Sequence, residues 1–179
     1  MREHLEAINH RDAILFLEEL VSQKEPLSEW NIKNIYGIIL KNIDQENTGK
    51  YREENVLISG AKHRPPAHFL VPEQMQILVE IYNGEWQKLH PVERATLLHG
   101  EFVKIHPFID GNGRTARLLM NFELMKNGYP PAVFKKEMSL EYYDALDLAH
   151  TTSKYENFIK LVARCVENSL DLYLNMMGE

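Results

Sequence analysis

HPFIDGNGRTAR, running from His106 to Arg117, is the stretch on which the reading of this 179-residue chain turns. Upstream of it, Pro91 sits where a helix tolerates proline, Glu93 suits the first turn, and Leu98, Phe102 and Ile105 offer a core face. Pro107 cannot extend that helix and restricts the residue before it, so the helix stops near His106. Downstream, from about Asn112 to Lys126, Leu118, Leu119, Phe122 and Met125 repeat at helical spacing until Gly128 and the pair Pro130, Pro131 end the run. The stretch is therefore expected to be a loop between two core helices.

Working outward, Leu5, Ile8, Leu15 and Leu20 mark an amphipathic helix that Pro26 breaks. Ser28 can cap a second helix with Ile32, Ile35, Ile39 and Ile43 on one face, ending by Asn47 to Gly49. Further helices are predicted from Pro72 to about Ile81, Ser139 to His150 and Lys154 to Met176. Between Tyr51 and Pro72 the texture changes: Val56, Leu57 and Ile58 are strand formers, Ser59 and Gly60 permit a turn, and Pro65 and Pro66 forbid helix. That segment reads as an exposed hairpin or loop, and the fold class as mainly α.

The chain is 44% apolar, long enough to bury one core, with no composition typical of disorder. Acidic residues outnumber basic ones 26 to 20, and no Lys/Arg run forms the footprint that nucleic-acid binding needs. No apolar stretch has the length of a membrane span or the form of a signal peptide. The single cysteine, Cys165, lies in the apolar run LVARCV and reads as a buried thiol in a reducing cytosol, so a cytoplasmic location is expected.

The motif suits phosphate chemistry part by part. Gly111 and Gly113 let the backbone turn with its N–H groups inward, and the following helix adds the positive end of its dipole. Arg114 and Arg117, one turn apart, could neutralise a triphosphate or departing pyrophosphate. Asp110 could hold Mg²⁺. His106 is then free to take a proton from an attacking hydroxyl, its ordinary pKa being near neutrality. Each residue also has a plainer reading: His106 as a cap, the arginines as a solvated face, Asp110 as a turn residue. A transition-metal set of His99, His106 and Asp110 would leave the GNG loop without a task. The third glycine of a dinucleotide fingerprint and any GxxxxGK[ST] run are missing.

The segment resembles the Fic signature, HPFx[D/E]GNGRxxR, at every specified position. INHRDAI, the proline-rich hairpin, LHPVERATLLHGEFVKI and LLMNFELMKNGYPP also look like Fic-domain sequence, so the resemblance covers nearly the whole chain. It implies a single Fic-type helical domain over residues 1–179, with a short β-hairpin flap at about 51–71 and the motif at 106–117. It implies transfer of AMP from ATP to a Ser, Thr or Tyr hydroxyl of a target protein, with release of pyrophosphate and self-modification as an accompanying activity. Variants of the same reading transfer another phosphate-linked group or remove AMP. A different class would be a binding module for a nucleotide or partner without chemistry.

Carried over by resemblance, His106 is the base, Asp110 the ligand of Mg²⁺ or Mn²⁺, and Gly111, Asn112 and Gly113 the cradle of the α- and β-phosphates. Arg114 and Arg117 grip the β- and γ-phosphates. Val56, Leu57, Ile58 and Lys62 fall on the flap, whose edge pairs with the target's backbone. Tyr142 and Tyr143 fall where the family places tyrosines near the nucleotide, though ordinary packing is the plainer reading of both. His150 stands where some relatives carry asparagine. His63 and His68 read as surface loop residues.

Many members carry an inhibitory helix of pattern [S/T]xxxE[G/N], whose glutamate pairs with the second arginine. No motif of that pattern is read anywhere in this chain, so Arg117 is expected to be unoccupied. Restraint would come from a trimmed segment or a partner chain. The target protein is not legible, and an oligomer is left open.

Overall fold

Two helices joined by the motif loop form the centre of the structure, a computed structural model that describes residues 2–24 and 26–178. In chain order the α-helices are α1 (Arg2–Gln23), α2 (Glu29–Ile39), α3 (Val71–Asn83), α4 (Pro91–Ile105), α5 (Asn112–Lys126), α6 (Ser139–Thr152) and α7 (Glu156–Met177). Short 3₁₀ turns at His68–Leu70, Glu85–Lys88 and Lys136–Met138 complete the described elements. The fold is mainly α, as expected.

The α4–α5 pair has a hydrophobic cluster on each side. On one side Leu98, Phe102, Leu119 and Phe122 pack against Ala13 and Leu17 of α1, Ile32 and Ile35 of α2, and Met75 and Leu78 of α3. On the other, Ala95, Met120 and Leu124 meet Ala145 and Leu146 of α6 and Phe158, Leu161 and Val162 of α7. Each fully buried Leu or Phe contributes about 1.5–3 kcal/mol relative to exposure, so the pair is fixed from both faces. Glu123, at the C-terminal half of α5, adds a buried polar lock. Arg94 Nε donates to its Oε1 at 2.7 Å, with Nη2 in ion-pair contact 2.5 Å from the same oxygen, Asn127 Nδ2 donates to Oε1 at 2.6 Å, and the Tyr82 hydroxyl donates to Oε2. That lock ties α3, α4 and α5 together at the end of the bundle.

Three expectations are corrected. Leu15 is exposed; the buried stripe of α1 is Asn9, Ala13, Leu17 and Leu20. The polar member is explained by its bonds, since Asn9 Nδ2 donates to the carbonyls of Ile39 and Lys41 at 3.0 and 2.7 Å and caps the end of α2. α2 begins as predicted, with Ser28 and Asn31 in a reciprocal capping box. It ends at Ile39, short of Asn47, because Asn42 takes a left-handed φ of 60° and turns the chain.

The predicted β-hairpin flap is the third. Among the described residues, segment 51–67 has no strand ladder; its one internal backbone bond is a turn, Ala61 N–H to Ile58 carbonyl at 3.2 Å. Val56 and Ile58 are half-buried and Leu57 is 79% exposed, an alternation proper to extended chain. The strand formers made an extended edge, but no second strand pairs with it.

Candidate active site

His106 ends α4 in the left-handed conformation, φ 51° and ψ 60°, and its N–H still donates to the Phe102 carbonyl at 3.0 Å. A histidine rarely adopts that conformation, so neighbours must hold it there. Arg52 is the main one. Its N–H donates to the Pro107 carbonyl at 2.9 Å and its Nε to the His106 carbonyl at 2.8 Å. Phe108 anchors the next step, fully buried and stacked on Tyr36 with ring centroids 3.6 Å apart. The imidazole is half-buried and its Nδ1 has no hydrogen-bond partner. Burial lowers the His106 pKa, and the charges of Arg52 and His63 act the same way, against the opposing effects of the Val103 backbone and Asp110. Burial thus favours the neutral ring, the form that can accept a proton.

The loop then turns at Gly111, φ 75°, the N-cap of α5 and a position that favours glycine. Gly113 needs no such freedom; it lies in the first turn of α5, where its N–H belongs to the unpaired helix start. Asn112 is buried and its side chain closes back on Phe108. The backbone donors that the start of α5 leaves without intrahelical partners, with the dipole behind them, could receive an anion.

Charge converges on this helix start from α1, which the sequence did not disclose. Asp110 Oδ2 is 2.6 Å from Arg2 Nη2 and 3.5 Å from Arg114 Nη2, while Oδ1 accepts the Gly111 N–H at 2.6 Å. Glu6 Oε1 lies 3.2 Å from Arg114 Nη1 and 3.1 Å from Arg2 Nε. The Arg114 Nη1 contact is an ion pair by distance but not a hydrogen bond, for that buried nitrogen has no acceptor in line. A buried guanidinium nitrogen without an acceptor fits an anion at this place.

A glutamate does meet a motif arginine, but it is Glu6 on Arg114, a contact that the sequence reading did not anticipate. The string TSKYEN, Thr152 to Asn157, does match the inhibitory pattern letter for letter. It spans the α6–α7 turn, with Ser153 at φ 59° and Glu156 exposed in the first turn of α7, so it forms no helix of that kind.

Arg117 borders a hollow of about 240 Å³ with Phe134, Lys135, Lys136, Tyr142 and Tyr143. The two tyrosines differ. Tyr142 is 8% exposed, packs among Phe134 and Phe158, and bonds His99 Nε2 through its hydroxyl at 2.8 Å; burial pushes its pKa up to about 12. Tyr143 is 66% exposed at the mouth. His99 is fully enclosed by this packing, with a pKa lowered to about 3 by burial, and has no part in a cluster with Asp110. Lys135 and Lys136 were missed, since paired lysines in a loop look like any solvated charge.

The flap segment is latched at its far end. Asp147 on α6 accepts the N–H groups of Lys62 and His63 at 2.8 and 3.3 Å, and the Lys62 ammonium lies 3.9 Å from its other oxygen. His63 Nε2 meets the Lys104 carbonyl at 2.9 Å, and its ring stands edge-on to His150 at 5.1 Å. His63 is therefore a packed residue, contrary to its surface reading. Among the described residues no helix is long and apolar enough to cross a membrane.

Comparison with known proteins agrees with this geometry. The Fic/DOC family profile matches residues 26–124, more than half of the chain. A Protein adenylyltransferase Fic of Drosophila willistoni is 38% identical over 173 residues, 96% of this chain but 34% of that protein. The chain thus spans about a third of the length of such curated relatives. Solved Fic-1 of C. elegans superposes with a TM-score of 0.89 at 33% identity, covering 99% of this chain and 52% of that one. A Fic domain containing signaling protein from Bacteroides thetaiotaomicron gives 0.87 at 30% identity, covering 96% and 71%. This chain, with its signature loop set between α4 and α5, belongs to the Fic/DOC family.

Proposed function

We propose that this chain transfers AMP from ATP to a Ser, Thr or Tyr hydroxyl of a target protein, with His106 as general base. One observation carries the reading: a half-buried imidazole, whose pKa burial lowers, ends α4 one short loop before the helix start that bears Arg114 and Arg117. The relatives' name, Protein adenylyltransferase Fic, supports it.

In this mechanism the target hydroxyl gives its proton to His106 while its oxygen attacks the α-phosphorus. The bond from that phosphorus to the bridging oxygen breaks, and pyrophosphate departs. The N–H groups of Asn112 and Gly113, with the Gly111 turn that presents them, serve the phosphates, and Arg114 and Arg117 take up charge on the β- and γ-phosphates. Glu6 yields Arg114 when the nucleotide enters. Asp110 fits a divalent ion of the Mg²⁺ or Mn²⁺ kind, since its carboxylate is about half exposed and such ions bind through one or two carboxylates plus substrate phosphates. When bound, that ion supplies charge neutralisation at the phosphates. Tyr143 offers the exposed ring for the base, and Tyr142 backs it from the core. Val56, Leu57 and Ile58, with Lys62 behind, offer an unpaired edge to the target's backbone.

The test uses α-labelled ATP and Mg²⁺ with the chain in lysate of its own source. His106→Ala should lower label transfer by about 10²- to 10⁴-fold and leave ATP binding intact. Undiminished transfer in that variant would refute the mechanism.

A further inference from the structure

Arg52 holds three separate pieces of backbone with one guanidinium. Nε donates to the His106 carbonyl at 2.8 Å, Nη1 to Glu54 at 2.7 Å and Nη2 to Pro66 at 2.6 Å. The residue is 3% exposed, and all three acceptors are carbonyls, with no carboxylate among them. A buried cation is ordinarily retained by a counter-charge. Here the negative end of the α4 dipole, which the His106 carbonyl terminates, takes that part.

The acceptors are not arbitrary. Glu54 and Pro66 are the two ends of the segment that carries Val56 to Ile58, and His106 lies 54 residues beyond Arg52. Between those ends the segment is held by the Ala61 turn, the Asp147 latch, the His63 ring on the Lys104 carbonyl and Asn55, which accepts the His68 N–H, none of which reaches the His106 backbone. Proton transfer from a docked hydroxyl requires the docking edge and the imidazole to keep a fixed separation, within fractions of an ångström. Arg52 touches both sides of that distance.

We propose that Arg52 is a positioning residue, its planar fork clamping the mouth of the flap segment to the backbone of His106 so that docked target and base share one frame. The assignment rests on the AMP-transfer reading for its purpose, but the clamp itself can be read without turnover. Lysine keeps the charge but not the fork, whose fixed donors can meet three carbonyls at once.

Hydrogen–deuterium exchange of the full chain, as wild type, Arg52→Lys and Arg52→Met, reads the clamp. Exchange in 53–68 and in 106–112 should rise together by tenfold or more in both variants, while α7 stays at its wild-type rate. If Arg52→Met does not fold, Arg52→Lys alone carries the test. Acceleration of one segment without the other, or of all helices alike, would overturn the clamp. Transfer of label from ATP to the chain's own hydroxyls then separates positioning from general damage. The Arg52→Lys rate should fall tenfold or more with the ATP Kd within twofold of wild type, whereas a parallel loss of both would overturn the role. Failure of the wild-type chain to transfer AMP would count against the functional reading, and unaltered exchange against the clamp.

Discussion

The side chain of Asn112 returns both of its polar groups to a single residue, Phe108: Oδ1 accepts the Phe108 N–H at 3.0 Å and Nδ2 donates to the Phe108 carbonyl at 2.7 Å. Both groups are buried, so the pair closes the five-residue loop as a backbone bridge would, at the point where Phe108 enters the core.

Asn112→Ala leaves that buried N–H and carbonyl without partners. The expected cost is about 1–3 kcal/mol for an unsatisfied buried group, together with a loop that no longer presents its N–H groups in one direction. Urea unfolding measures the first and ATP titration the second. A variant with wild-type stability would show the bridge to be idle.

Glu6→Gln removes a carboxylate from Arg114. Both side chains are partly exposed, 31% and 21%, which limits the pair to about 0.2–1 kcal/mol. Freed of it, Arg114 should bind ATP about 1.4- to 5-fold more tightly, with the gain shrinking as salt rises. Weaker ATP binding in this variant would contradict the competition.

Gly100→Ala tests the approach of α4 to α7. A Cβ at Gly100 would lie 2.4 Å from Cε1 of Tyr155, whose hydroxyl is tied to Glu101 at 2.6 Å and whose ring cannot swing away without losing that bond. Overpacking of this kind costs about 1–3 kcal/mol. The midpoint in urea should fall accordingly, and an unchanged midpoint would mean that the helices separate freely.

Acid should destabilise the fold through two enclosed histidines. Burial lowers the pKa of His99 to about 3 and that of His150 to about 4, from an ordinary 6.5. The unfolded chain therefore binds more protons between about 6.5 and those lower values, so stability is full above 6.5 and is lost as pH falls through that window. Melting temperatures from pH 7 to 4 should drop, and His150→Asn should make the drop shallower, since its amide can still donate to the Gly100 carbonyl that His150 now meets at 2.9 Å. An identical slope in the variant would remove His150 from the account.

The helices were legible wherever proline, glycine and a repeating apolar face agreed, as from Pro91 to Ile105 and Asn112 to Lys126. The candidate base, cradle and arginines were legible because they sit within one short stretch. What escaped depends on distant chain. Val56 to Ile58 announce extended backbone, but pairing is a property of a second segment, and none is supplied. Arg52 and Glu6 look like ordinary surface charges until folding brings carbonyls to one and Arg114 to the other. Tyr142 and Tyr143 could have been separated in advance, since adjacent residues on a helix point about 100° apart and both cannot face one hollow equally.

An extended edge without a partner strand is also a template for unwanted stacking, copy upon copy, and Leu57 stands at its most accessible point. The flanks limit that hazard. Glu53 and Glu54 precede the edge and Arg64 follows it, so identical edges laid in register would bring like charges together. Pro65 and Pro66 carry no N–H and cannot lengthen the pairing. The few residues that would let the proposed docking edge take up a stranger's backbone are bounded by others that keep it from adhering to itself.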